Sequence, residues 1–357
     1  MKIIKELDCL RALAILGVIL THWAPGTLSR IPWGQIGVHF FFVLSGFLIT
    51  KILLESRFKI EASNFSKLSL IKNFYFRRAL RIFPIYYLTI IILFFFRKFT
   101  DIDFNSALIY CITYTTNFYF FKLGDWQGQI SHLWSLAVEE QFYLIWPWFI
   151  ILINKKYLLH LILCFIAFGI VSEYLFDQIP MGLLLPNTCF DGFGLGALLA
   201  WVLLLKKDLT LRFYWTVSMV GVFALILFIF LILNPTNSIN IPKRFLTFLI
   251  SLWILTYVVI KSEAGTLKLN FIFNNPILLF LGKISYGMYL YHFMIPSLLN
   301  TNLINKYINP HLPYFLFVKN FKWIFFFENF SMLLIISSLS YYYIERKFLV
   351  LKKYYPS

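Results

Sequence analysis

The chain has 357 residues, 60% of them hydrophobic and 20% aromatic, with 42 Phe and a net charge of +16. Soluble domains are about 45–50% apolar, so this composition excludes an ordinary soluble protein and implies an all-α integral membrane protein. The charge does not imply nucleic acid: most Lys and Arg fall in short loops between apolar runs, where they orient spans and meet anionic lipid.

Apolar runs long enough to cross the bilayer need about 17–25 residues. Taken in chain order, they are predicted at 7–24, 35–54, 82–96, 133–153, 157–176, 188–205, 213–233, 245–261, 277–299 and 323–344. A weaker run at 105–121 is interrupted by Thr113, Thr115, Thr116 and Asn117. If it does not cross, and the N-terminus is cytoplasmic, 21 Lys and Arg lie in cytoplasmic segments and 9 on the opposite side. A crossing would turn Lys155, Lys156, Lys206, Lys207 and the basic C-terminal tail outward, against the positive-inside rule. The prediction is therefore ten spans with both termini cytoplasmic, and 97–131 as an outer segment for which a dip into the membrane stays open. No long polar stretch stands apart, so residues 1–357 read as a single membrane domain.

The first span, "LDCLRALAILGVILTHW", holds Arg11 and His22 where a charge costs a few kcal/mol. Eleven residues apart, they share one helix face, separated by about 16 Å along the axis. Either Arg11 snorkels and His22 is interfacial, or the face carries a cation toward one side and an imidazole toward the other. Asp8, three residues earlier, can pair with Arg11.

In "FYFRRALRIFPIYY", Arg77, Arg78 and Arg81 lie at helical i,i+3 and i,i+4 spacing just before a predicted span. On the cytoplasmic side such a fork suits phosphate, and equally a membrane-surface anchor. In "SHLWSLAVEEQFYLIWP", Glu139 and Glu140 enter an apolar span. His132, Ser135 and Glu139 share a face, with Glu140 turned about 100° away. A buried carboxylate can orient an imidazole, or simply balance a cation.

Weaker features are His39 and the close-packing pair Ser45–Gly46, Asp191 among glycines in "CFDGFGLGALLA", and His292 deep in a span with Ser285, Tyr286 and Tyr289. His160 and His311 read as ordinary. Cys9, Cys111, Cys164 and Cys189 show no paired spacing, so neither a zinc site nor a disulfide framework is implied. The N-terminal run, broken by Arg11 and lacking a small-residue cleavage site, reads as a retained span.

In combination these stretches resemble the membrane-bound acyltransferase 3 family, which O-acetylates bacterial surface glycans and some small molecules. The likeness runs from about residue 5 to about 345. Arg11 and His22 are similar to its first-helix motif, and "RRALRIFPIYY" to its second, with Arg78, Arg81 and Pro84. "HLWSLAVEEQFYLIWP" resembles its central segment, placing Trp134, Ser135, Glu139, Glu140 and Tyr143 within it, and "GKISYGMYLYHF" its late signature ending in His292. "LPNTCFD" lacks the arginine that the resemblance leads one to expect before Asp191.

The resemblance implies ten helices in a bacterial inner membrane, with acetyl-CoA as a cytoplasmic donor substrate rather than a resident cofactor. It implies a hydroxyl acceptor at the outer face, on a polysaccharide or lipid-linked glycan such as lipopolysaccharide O-antigen. Larger members add a periplasmic SGNH-type domain; ending at Ser357, this chain is expected to be a stand-alone form. The arginines Arg11, Arg78 and Arg81 would hold the CoA phosphates. His22 would act as general base, with Glu139 orienting it, by direct transfer or through an acyl-histidine. No metal is called for, and the oligomeric state is not readable. Two rivals stay open: acylation of a small molecule of the macrolide type, and transport of a glycolipid or anion, for which broken helices and repeat symmetry would speak.

Overall fold

A computed structural model describes residues 4–24, 31–61, 66–100, 102–234, 243–298 and 314–355. Arg30, Lys306 and His311 lie outside the described residues. Among the described residues every regular element is helical. In order they are α1 (Glu6–Trp23), α2 (Trp33–Glu61), α3 (Lys67–Phe95), α4 (Phe104–Ile112), α5 (Thr116–Leu123), α6 (Leu133–Leu152) and α7 (Leu158–Phe176). There follow α8 (Phe190–Leu205), α9 (Thr210–Leu233), α10 (Lys243–Glu263), α11 (Asn270–Phe273), α12 (Pro276–Tyr291), α13 (Tyr314–Ser340) and α14 (Arg346–Val350).

Seven of these segments are long and apolar enough to cross a bilayer: α2, α3, α7, α8, α9, α10 and the one built on α13. The protein is thus a multi-pass membrane protein. Helices α1, α6 and α12 fall outside that set because they are short or carry charge, yet their apolar faces are buried in the common core. They are also the helices that carry Arg11, His22, His132, Glu139 and Tyr289.

Two close helix approaches set the frame. A Cβ at Gly46 of α2 would overlap the carbonyl oxygen of Phe193 on α8, and one at Gly196 would overlap that of Val43. Likewise a Cβ at Gly282 of α12 would overlap the carbonyl oxygen of Asp8 on α1. Without a hydrophobic drive between helices in lipid, such backbone contact supplies the attraction, as expected for Ser45–Gly46 and the glycines after Asp191.

Three segment boundaries take definite form. The helix predicted at 82–96, with an earlier start left open, runs unbroken from Lys67, capped by Ser66, whose side chain accepts from the Leu68 amide at 3.2 Å. Leu70, Ile71 and Phe74 continue its buried face, so the arginines lie within the helix rather than ahead of it. The span expected over 277–299 is regular α-helix to Tyr291, His292 is its buried C-cap, and helical turns resume at 294–298. Pro296 explains the break, since it has no N–H to bond the His292 carbonyl. The run 105–121, expected not to cross, divides into α4 and α5, and α4 at about 13 Å is far short of the roughly 30 Å of hydrocarbon. Tyr114 at the break has φ 53°, a strained value for a non-glycine residue, and its ring stacks on Tyr86 at 4.1 Å.

Candidate active site

Between α1, α2, α3, α6 and α12 lies a cavity of about 370 Å³. Arg11 and Asp8 enter it from α1, Ser45 and Lys51 from α2, and Arg78 and Arg81 from α3. From α6 come Ser135, Glu139, Glu140 and Tyr143, and from α12 Tyr286 and Tyr289. Motifs separated by most of the chain thus share one volume.

Arg11 donates to Asp8 at 2.5 Å, one turn away on the same helix. Arg78 has no ion-pair partner among the described residues; its guanidinium lies over the rings of Tyr143 at 5.1 Å and Phe74 at 5.7 Å. Arg81 is exposed and likewise has no ion-pair partner among the described residues. These cations remain able to receive an anion. Glu139 and Glu140 are both half-buried against the cavity, although adjacent helix positions diverge by about 100°. Tyr143 donates to Glu139 at 2.7 Å, and Ser45 lies 3.0 Å from the Tyr143 hydroxyl. Tyr286 donates to the Ile82 carbonyl at 3.1 Å, tying α12 to α3.

At the other end of the cavity the Tyr289 hydroxyl donates to the His132 carbonyl at 2.9 Å and bonds Ser135 Oγ at 2.6 Å. Behind the Tyr289 ring stand three imidazoles. The centroids of His132 and His292 are 4.9 Å apart, and those of His22 and His292 5.2 Å. His22 comes from the end of α1, His132 from the N-cap of α6 and His292 from the C-cap of α12. The His22 Nδ1 meets the Val18 carbonyl at 2.9 Å, which makes Nδ1–H the donor and leaves Nε2 with its lone pair. His292 and His132 are buried, while His22 is exposed.

The structure separates two residues that the sequence reading paired. Glu139 hydrogen-bonds Tyr143 in the arginine half of the cavity, and no hydrogen bond joins it to His22. The ring neighbours of His22 are His292 and Phe293. The helix register explains this: Glu139 lies seven residues into α6 beyond His132, about 10 Å along the axis.

Three other sequence candidates lie outside this cavity. His39 is buried against α10, with Nδ1 2.6 Å from Thr247 Oγ1. Trp134 packs edge-on against Phe42 at 5.9 Å. Asp191 is fully buried at the start of α8. An arginine from another helix reaches the segment before Asp191: Arg244 of α10 donates to the Thr188 carbonyl at 3.1 Å, to its hydroxyl at 3.0 Å and to Leu183 O at 2.5 Å. Sequence reasoning also passed over Lys51, which lines the cavity and pairs with Glu263 at 3.3 Å, because a lysine at a span end reads as a topology signal.

A family profile described as an acyltransferase domain, the acyltransferase 3 family, matches residues 4–343. Among curated proteins, the chain is 30% identical over 383 residues to a protein of Staphylococcus aureus strain COL provisionally named an O-acetyltransferase, covering 98% of this chain and 58% of that one. It is 29% identical over 343 residues to the O-acetyltransferase OatA of S. aureus strain NCTC 8325, covering 87% of this chain and 53% of the relative. The chain thus spans little more than half the length of these relatives. No solved structure matches. A family match over nearly the whole chain, on the helices that build the cavity, places this protein in the acyltransferase 3 family.

Proposed function

We propose that the protein is an O-acetyltransferase that moves an acetyl group from acetyl-CoA to a hydroxyl of a cell-surface polysaccharide, across a bacterial inner membrane. The names of the relatives support O-acetyl transfer. The observation that carries the rest is a polarity along the helices, from cavity-lining arginines to a histidine cluster behind the cavity wall. Unpaired arginines stand at one end of the cavity, and a histidine cluster begins behind Tyr289 at the other. With ten spans and both termini cytoplasmic, the arginine end faces the cytoplasm, where acetyl-CoA is made, and His22 faces outward.

In this reading Arg78 and Arg81 hold CoA phosphates by charge-assisted hydrogen bonds, and the thioester arm extends along the cavity past Glu139 and Ser135. His22 Nε2 takes the proton of the acceptor hydroxyl. The hydroxyl oxygen attacks the thioester carbonyl, the C–S bond breaks, and the CoA sulfur leaves, taking up the proton. An acyl-histidine on the way would balance equally. Among the acceptors, a lipopolysaccharide O-antigen or another lipid-linked glycan is placed first.

The test uses membranes of matched protein content, labelled acetyl-CoA and isolated polysaccharide. The expected result is label in an ester that mild alkali releases. Absence of transfer to polysaccharide, with transfer to a small hydroxylated molecule instead, would overturn the acceptor assignment.

A further inference from the structure

The family match ends at residue 343, but the fold continues. A π-helical turn, Tyr341–Glu345, leads into α14 and a final turn, Leu351–Tyr354. This segment folds back on α3. Arg77 donates to the Tyr355 carbonyl at 3.1 Å, and the Tyr355 ring stacks on Phe76 at 4.8 Å with the planes 11° apart. The docking carries Lys352, half-buried, close enough to Arg81, Arg78 and Arg77 to interact with all three.

None of these four cations has an ion-pair partner among the described residues. One carboxylate, Glu345, is buried near Arg81 without forming an ion pair. Glu139 and Glu140 share the cavity with Arg78 and lie near enough to interact with it, without forming an ion pair. Like charges crowded in a partly desolvated place repel one another unless an anion joins them. A cluster of guanidinium forks with one ammonium point charge suits phosphate, which accepts from several donors at once.

We propose that the C-terminal segment 346–355 completes a phosphate-ester site by bringing Lys352 to the arginines of α3, and that the phosphates are those of the acyl donor. This rests on the acetyl-CoA reading above. It adds a binding residue and gives the segment beyond the family match a role in donor selection.

The experiment uses the full chain in phosphatidylcholine nanodiscs, with acetyl-CoA and with S-acetylpantetheine, which has no phosphate. The wild-type protein should prefer acetyl-CoA. Lys352→Gln should lower that preference about tenfold through KM for acetyl-CoA, and Lys352→Arg should restore most of it. Thermal unfolding of each variant separates lost binding from lost folding. An unchanged donor preference in a folded Lys352→Gln protein would overturn the proposal. So would a result in which phosphatidylglycerol stabilises wild type but not Lys352→Gln while the KM values agree, since the site would then serve a lipid headgroup. A wild-type protein that uses S-acetylpantetheine well and acetyl-CoA no better sinks the phosphate site alone. One that uses neither sinks the acetyl-CoA reading itself.

Discussion

The imidazoles of His22 and His292 meet at 5.2 Å, each with its Nδ1 held by a carbonyl of its own helix, Val18 at 2.9 Å and Tyr289 at 2.6 Å. Both rings therefore hold Nε2 as the free acceptor. In the proposed mechanism the exposed ring, His22, meets the acceptor, and the buried His292 packs against it. Replacing His22 by Gln is expected to lower acetyl transfer by about 100- to 10,000-fold, the usual span for a general base, with acetyl-CoA binding intact. The measurement is label transfer in membranes of matched protein content. Near wild-type activity in His22→Gln would pass the role to His292.

Arg78→Ala and Arg81→Ala should each weaken acetyl-CoA binding by tenfold or more, since a charge-assisted contact is worth roughly 1.5–3 kcal/mol. Arg78→Lys should rescue only in part, because a lysine keeps the charge but not the planar stacking over Tyr143 and Phe74. Titration of purified protein with acetyl-CoA decides it. Unchanged affinity would make these arginines membrane anchors.

The α2–α8 seam should tolerate no side chain. Gly46→Ala places a methyl group against the Phe193 carbonyl, and backbone on both sides leaves it nowhere to turn. Overpacking of this kind costs about 1–3 kcal/mol, more where backbone must move. The melting temperature in detergent should fall by several degrees, and an unaltered melt would mean that the helices can part there.

The topology is open to thiol labelling. Cys9, Cys111 and Cys189 are buried and Cys164 is exposed, so Cys164→Ser gives a quiet background. Lys156→Cys and Asp208→Cys, both at exposed positions, should react with an impermeant reagent only after the membrane is opened. Labelling in intact cells would place these loops outside and reverse the direction assigned to the path.

At the end of α2, Glu61 accepts from Arg57 at 3.1 Å and also bonds Lys155, and these cations hold its carboxyl below the ordinary glutamate range. A lowered folded value stabilises the folded state above the unfolded value, and the gain is lost as pH falls through the lowered one. The Glu61 carboxylate is exposed, so the gain is at most about 1 kcal/mol. Glu61→Gln should flatten the acid side of a stability-versus-pH curve below about pH 5 and leave neutral-pH transfer unchanged. A mutant curve parallel to wild type throughout would show the contact to be idle.

The membrane class and most spans were legible because hydrophobicity is a local property, read in windows of the length a bilayer imposes. The Arg11–Asp8 pair was legible because one helix turn fixes both residues, and the glycine seams because small residues in a span have few other uses. What tertiary structure decided was partnership across helices. That Glu139 turns to Tyr143 rather than to His22 depends on how far α6 slides along α1, a register no window contains. That Arg244 bonds Thr188 just before Asp191, and that Lys352 reaches the arginines of α3, depends on contacts between segments tens to hundreds of residues apart. Packing of apolar surface fixes those contacts, and the polar side chains meet where that packing leaves them.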